Sequence, residues 1–190
     1  MQHAFRNAEH WSKTFDDPER DTWQKPREVI AALELTPSMR VADVGAGTGY
    51  FSARLAEAVP EGLVWAIDTE PDMVVHLAMR ARGAGLHHVV PVLAAPDDPR
   101  LPEAVDRVLV VNTYHHIEER PAYFERLRAK LRPGGEVAIV DFHEASPFGP
   151  PAEFRFTEAQ IVREMEEAGY VLKRSPRLLE HQHFLIFAPR

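Results

Sequence analysis

From Val41 onward, short β-branched apolar runs alternate with segments whose apolar residues recur every three or four positions. The first kind of run suits a buried strand and the second an amphipathic helix, so their alternation predicts βαβ units around a mostly parallel sheet. Strands are expected near Arg40–Val44, Leu63–Ile67, Val89–Leu93, Arg107–Val111, Glu136–Asp141, Tyr170–Arg174 and Phe184–Ala188. Helices are expected near Thr48–Val59, Pro71–Arg82, Glu119–Leu131 and Thr157–Ala168, with another beginning at Pro26. The fold class is α/β, a doubly wound sheet of seven strands.

Local chemistry places several boundaries. Pro26 suits a first helical turn, Thr157 and Gln160 can form a reciprocal capping box, and Gly169 fits a left-handed helix end. "RPGG" at Arg132–Gly135 breaks the preceding helix and turns the chain into the apolar run "EVAIVDF". The Pro-rich "SPFGPPAEF" from Ser146 to Phe154 reads as a surface loop long enough to act as a flap.

Composition narrows the classes. A chain of 190 residues, 45% hydrophobic, can bury one core of single-domain size. It divides into an N-terminal helical cap segment, residues 1–25, and the α/β domain, residues 26–190. The absence of cysteine excludes a disulfide framework, a thiolate metal site and a catalytic thiol. A net charge of −7 opposes the electropositive surface of a nucleic-acid binder. The longest apolar stretches, Val108–Val111 and Val137–Val140, are far too short to cross a bilayer. The N-terminal residues mix charges, His and aromatics and lack the apolar core of a secretory signal, so the cytoplasm is the expected location.

The informative segment is "RVADVGAGTGYFSARLA", in which a buried strand runs into a Gly-rich turn and then a helix. Gly45, Gly47 and Gly49 let the backbone approach a ligand at the carboxyl end of the first strand. A dinucleotide fingerprint would place its third glycine one position later, where this chain has the bulky Tyr50. Asp43, just before the turn, would repel a pyrophosphate but can accept from an ammonium group or anchor the loop. Asp68 ends the second strand, at the position of an acid that accepts both ribose hydroxyls.

With these residues the sequence resembles the class I S-adenosylmethionine-dependent methyltransferase family, from Pro26 to Ala188. "VADVGAGTGYFS" is similar to the family's glycine-rich motif, "VWAIDTEPDMV" to its second-strand acidic motif, and "LRPGGEVAIVDF" to the segment entering its fifth strand. The resemblance implies a Rossmann-like methyltransferase fold with strand order 3-2-1-4-5-7-6 and an antiparallel last strand. It implies S-adenosylmethionine as cofactor and S-adenosylhomocysteine as product, with Asp43, Gly45, Ala46, Gly47, Thr48 and Gly49 around the methionine moiety and Asp68 on the ribose. Thr69 and Met73 would flank ribose and adenine, although a helical Met also serves as core packing. The adenine amino group falls to Asp97, Asp98 or a backbone group, since Ala95 stands nearest the third strand.

After the fourth strand comes "VNTYHHIEE", where the resembled enzymes face the acceptor. Asn112 is placed at the cofactor. His115 and His116 can orient or deprotonate a nucleophile, or else pack against the sheet and meet solvent. His143, after the fifth strand, is expected to open onto the same crevice beside Asp141. A metal held by these groups is set aside, because adjacent histidines usually point apart. His181 and His183 read as surface residues. Trp11 and Phe15 share one helical face, which can staple the cap to the core or line the substrate. Gln24 or Lys25 is placed to reach the cofactor carboxylate.

"NTYH" is unlike the motif of enzymes that methylate DNA amino groups, and missing cysteines disfavour arsenite chemistry. No insertion large enough to recognise a macromolecule interrupts the core, so a small, partly apolar acceptor is expected. The rival readings are a non-catalytic nucleoside-binding domain and an NAD-dependent oxidoreductase, the latter opposed by Tyr50. An aminopropyl transferase lacks its acidic pair at the fourth-strand loop.

Overall fold

A computed structural model describes residues 7–190, so the first six residues of the expected cap lie outside the described residues. The seven strands are β1 (Arg40–Val44), β2 (Leu63–Asp68), β3 (Val89–Leu93), β4 (Val105–Val111), β5 (Leu131–Phe142), β6 (Tyr170–Arg174) and β7 (Gln182–Pro189). They form one sheet in the order β3-β2-β1-β4-β5-β7-β6. β7 runs antiparallel to both of its neighbours and every other pairing is parallel. The expected order and last-strand direction are both present.

The helices are α1 (Ala8–Phe15), α2 (Arg20–Gln24), α3 (Pro26–Ala31), α4 (Tyr50–Ala58), α5 (Pro71–Gly83), α6 (Arg120–Arg128) and α7 (Glu158–Glu167). β4 shows why its sequence is a continuous apolar run. Val108 and Val110 face a core shared with Phe124 and Leu127 of α6 and Ile161 and Met165 of α7. Leu109 and Val111 face the opposite core, with Leu55 of α4 and Leu77 of α5. Successive side chains of a strand point to opposite faces, so a sheet covered on both sides leaves no polar alternation to read.

Several expected boundaries and one expected cap differ. α6 ends at Arg128 and β5 begins at Leu131, earlier than Glu136, because Leu131 pairs with Val105 before "RPGG" loops out. The pairing resumes at Arg107 with Glu136, so this segment is an irregularity inside the strand's span. The capping box is formed on one side only. Thr157 Oγ1 accepts from the Gln160 N–H at 3.1 Å, but the Gln160 amide donates to Glu164 at 2.9 Å. α4 begins at Tyr50, after a left-handed Gly49.

Two polar ties fix the elements around the carboxyl edge. Glu164 of α7 accepts from Arg120 at 2.5 and 3.1 Å and from the Tyr114 hydroxyl, tying α6 and α7 to the 3-10 turn that carries His115 and His116. The Asp16 carboxylate accepts from Arg80 Nη1 at 2.8 Å, and the same nitrogen donates to the Thr48 carbonyl at 2.9 Å, holding the end of α1 against α5 and the glycine loop. Among the described residues no helix is long and apolar enough to cross a membrane. Glu164→Ala leaves the Tyr114 hydroxyl and Arg120 without their acceptor, and we expect it to lower unfolding free energy by about 1–3 kcal/mol in urea titration.

Candidate functional site

The order of the sheet reverses beside β1, where ligands of open α/β sheets lodge at the carboxyl ends of the strands. A cavity of about 830 Å³ opens there. Its floor is the glycine loop. Gly45 has φ +74°, and a Cβ at this position would overlap the Thr113 side chain, so loop and β4 turn approach as closely as they do only because the residue is glycine. Its N–H and that of Ala46 both donate to the Ile67 carbonyl at 2.9 Å, binding the loop to β2.

Asp68 does the rest of that work. One carboxylate oxygen accepts from the Gly47 N–H at 2.8 Å and the other from the Glu70 N–H at 2.9 Å. Each oxygen keeps a further lone pair for a ligand hydroxyl. Burial raises its pKa, opposed by the hydrogen bonds from the Glu70 and Gly47 N–H groups.

Asp43 is 2% exposed and accepts from Ser52 Oγ at 2.6 Å. Burial pushes its carboxyl up to about 6, while Ser52 and the positive charge of Arg20 hold it lower than burial alone would. Arg20, on α2, also lines the cavity. Its guanidinium donates to the Phe15 carbonyl at 2.7 Å and the Gln24 amide at 3.1 Å and lies 4.0 Å over the Tyr50 ring, yet it forms no ion pair within 4.0 Å among the described residues. A cation and an anion that feel each other without touching are complementary to a zwitterionic ligand end. Thr48 adds a second signal, a buried Oγ1 with no hydrogen-bond partner in a residue that lines the cavity.

On the far side, His115 and His116 lie in the 3-10 turn after β4 and both line the cavity, their rings 4.1 Å apart. His115 Nδ1 lies 2.9 and 3.0 Å from the two Asp141 oxygens, so the carboxylate fixes Nδ1 as the donor and leaves Nε2 as the acceptor nitrogen. Asp141 is itself held by the N–H groups of His115 at 3.2 Å and Phe142 at 2.8 Å.

Most of the expected site residues meet here: Asp43, Gly45, Ala46, Gly47, Thr48, Asp68, Thr69, Met73, Asn112, His115 and His116 all line this one cavity. Gly49 does not, being the turn into α4, where a Cβ would meet Leu77 at 2.8 Å. His143 is a correction: its Nε2 donates to the Glu180 carbonyl at 2.8 Å and its Nδ1 accepts from the Ala145 N–H at 3.2 Å, so both nitrogens hold the loop after β5. Asp97 and Asp98 are exposed and outside this cavity. An Ala95–Asp98 bridge closes the turn there, with Ala94, Ala95 and Pro96 on the cavity wall and Asp97 in a small adjoining pocket that shares Pro96, His116, Ile117 and Tyr123 with it. His183 is 11% exposed in its side chain rather than a surface residue, donating to the Phe156 carbonyl at 3.0 Å.

The expected carboxylate contacts of Gln24 and Lys25 are also replaced. Lys25 Nζ donates to the Leu178 carbonyl at 3.0 Å. Gln24 joins a closed ring of amides, donating to Gln182, which donates to Asn112, which donates back to Gln24 at 3.3 Å. Arg20, Phe142 and Phe154 line the cavity without having been read as site residues, and Trp23 lines it as part of the N-terminal segment expected to cover the pocket. Arg20 carried no spacing signal, whereas the Pro-rich loop that holds Phe154 was recognisable as a flap.

The raised Asp43 pKa makes a signed prediction. Its contribution to stability is fully present below the ordinary aspartate value of about 3.9 and is lost as pH rises through about 6. Asp43→Asn should therefore gain stability relative to the unmodified protein as pH rises from about 3 to about 7, by up to about 3 kcal/mol, read as the difference in urea midpoints.

Comparison with known proteins agrees with this geometry. Residues 41–135 match the family model described as "Methyltransferase domain". The chain is 30% identical over 155 residues to a protein-L-isoaspartate O-methyltransferase of Aeropyrum pernix, covering 75% of this chain and 57% of that protein. It is 30% identical over 128 residues to phosphoethanolamine N-methyltransferase 1 of Arabidopsis thaliana, covering 67% of this chain and 26% of that protein. It thus spans about half or less of the length of these curated relatives. A solved S-adenosylmethionine-dependent methyltransferase from Aquifex aeolicus superposes with a TM-score of 0.87 at 26% identity, over 95% of this chain and 97% of that one. With the glycine loop, the strand order and the family model in agreement, the chain belongs to the class I S-adenosylmethionine-dependent methyltransferase family.

Proposed function

We propose that this protein transfers a methyl group from S-adenosylmethionine to a small-molecule acceptor. One observation carries the reading: the glycine loop with Asp68 and the His115–Asp141 pair line the same cavity. Its volume stands in the upper part of the roughly 300–1,000 Å³ range of small-molecule sites, enough for a nucleoside and an acceptor together.

The residues fit the cofactor. Asp68 would take the ribose hydroxyls, and Met73, Ala94, Ala95 and Pro96 would pack the adenine. Asp43 would face the ammonium and Arg20 the carboxylate of the amino-acid end, and the unpartnered Thr48 hydroxyl would gain a partner. When bound, S-adenosylmethionine supplies an electrophilic methyl group on a sulfonium. The protein's task is then alignment and water exclusion, with a proton acceptor where the acceptor atom needs one. His115 Nε2 supplies that proton acceptor. α1 and α2 from the N-terminal side and Gly149–Pro151 from the Pro-rich loop close the cavity. The protein acts without nucleic-acid or membrane partners and resides in the cytoplasm.

Calorimetric titration with S-adenosylhomocysteine, 5′-methylthioadenosine and NAD tests the reading. Both adenosyl ligands should bind and NAD should not. Asp68→Ala, its fold checked by circular dichroism, should weaken both adenosyl ligands by roughly 10–100-fold. Arg20→Gln should weaken only S-adenosylhomocysteine, because 5′-methylthioadenosine lacks the amino-acid end. Binding of NAD in place of the adenosyl ligands would overturn the proposal.

A further inference from the structure

Charge is segregated along the cavity. Among the described residues, the Asp, Glu and Arg side chains that line it are Arg20, Asp43, Asp68 and Glu70, grouped around the glycine loop and the β1–β2 end. The β4–β5 end is lined instead by Trp23, Phe142 and Phe154 with Pro150 and Pro151, and its polar groups are the two histidines, Asn112 and Thr113. Trp23 packs against Phe142 at 5.9 Å and Phe148 at 5.3 Å between ring centroids, so the wall is built of ring surfaces. Asp141, behind His115, is 2% exposed and committed to His115 and two N–H groups, and the exposed acids Asp97, Glu118 and Glu119 lie in a small adjoining pocket rather than on this wall.

We infer that the acceptor is an uncharged aromatic compound bearing a ring hydroxyl, seated against Trp23 and Phe142 with its oxygen at His115 Nε2. The inference rests on the methyl-transfer reading and adds the acceptor class. Among the described residues that line this end, a carboxylate or phosphate would find no cation and an alkylammonium no acid, each at the cost of an unpaired desolvated charge. A ring acceptor gains offset or edge contacts that a saturated one does not.

Acidity selects the hydroxyl. A phenol resembles tyrosine at about 10, within about 4 units of the ordinary imidazole value. An aliphatic alcohol lies near the 15.7 of water, roughly 9 units away. The imidazole is therefore better matched to the first proton than to the second in a methyl transfer. In the step, the hydroxyl proton passes to His115 Nε2 as the oxygen electron pair forms the bond to the methyl carbon. The carbon–sulfur bond breaks with its electron pair left on sulfur. The positive charge lost from the sulfonium reappears on the imidazolium beside Asp141, and its proton leaves to solvent afterwards. His115 is the catalytic residue and Asp141 the positioning residue.

The test uses the full chain saturated with S-adenosylhomocysteine and four probes of one size, 2-naphthol, 2-naphthoate, 2-naphthylmethylamine and 2-decalol, with affinities from calorimetry and ligand-observed NMR. 2-Naphthol should bind at least about tenfold more tightly than the two charged probes and 2-decalol. Trp23→Leu should abolish that preference and leave S-adenosylhomocysteine binding intact. Equal or tighter binding of a charged or saturated probe, or a preference untouched by Trp23→Leu, would overturn the inference. Failure of S-adenosylhomocysteine itself to bind would overturn the methyl-transfer reading beneath it.

With methyl-labelled S-adenosylmethionine and chlorinated naphthols of graded acidity, His115→Gln should reduce kcat/KM by roughly 100-fold or more for the least acidic member. The loss should shrink as acidity rises, with Asp141→Asn following the same trend more weakly. A uniform loss across the series, as from a space-filling histidine, would overturn the assignment of His115 as base.

Discussion

The organisation of this site depends on buried and half-buried carboxylates at the ends of strands, none of which can be left unsatisfied. Asp43, Asp68 and Asp141 stand at the carboxyl ends of β1, β2 and β5. An unpaired ionised carboxylate in such surroundings costs several kcal/mol, so each recruits donors. The donors recruited are the parts of the site: Ser52 at the start of α4 for Asp43, the Gly47 N–H of the glycine loop for Asp68, and the His115 backbone and ring for Asp141. Satisfying the acids and shaping the pocket are one process.

The N-terminal segment is built into the same edge. Asp16 of the α1 end holds Arg80, and Asp21 on α2 accepts from Arg54 at 3.0 Å and from the Tyr50 hydroxyl. The amide ring of Gln24, Gln182 and Asn112 then joins α2 to the first residue of β7 and the turn after β4. Asn112 is held there at φ +53°, a left-handed conformation that Asn tolerates better than most residues. These contacts bring Arg20 and Trp23, three residues apart on one short helix, to the wall of the same cavity, Arg20 against Tyr50 and Trp23 against Phe142.

How much of this was legible depended on whether the signal was local. The glycine segment and Asp68 were readable because a tight turn and a strand-end acid leave their chemistry in consecutive residues. The strand order followed from resemblance, since periodicity alone identifies strands and not their neighbours. Arg20 looked like any surface charge, because its surroundings come from residues such as Phe15 and Tyr50 brought together by the fold. Asp97 and Asp98 were misplaced by a two-residue bridge that reverses the chain, and His143 by a loop that turns it toward Glu180 while Asp141 points at His115. Both errors concern direction, which a position in the chain does not encode. The irregular start of β5 is of the same kind, as "RPGG" has turn chemistry whether it precedes a strand or bulges out of one.

A cofactor end rich in paired and poised charge meets an acceptor end made of rings and imidazole, and the two share one cavity. The most direct measurement of this arrangement is a crystal structure of the protein with S-adenosylhomocysteine. The account predicts the ribose hydroxyls on the Asp68 carboxylate, the amino-acid end between Asp43 and Arg20, and the sulfur facing His115 across the open β4–β5 end. A ligand seated elsewhere, or one whose sulfur points away from His115, would contradict it.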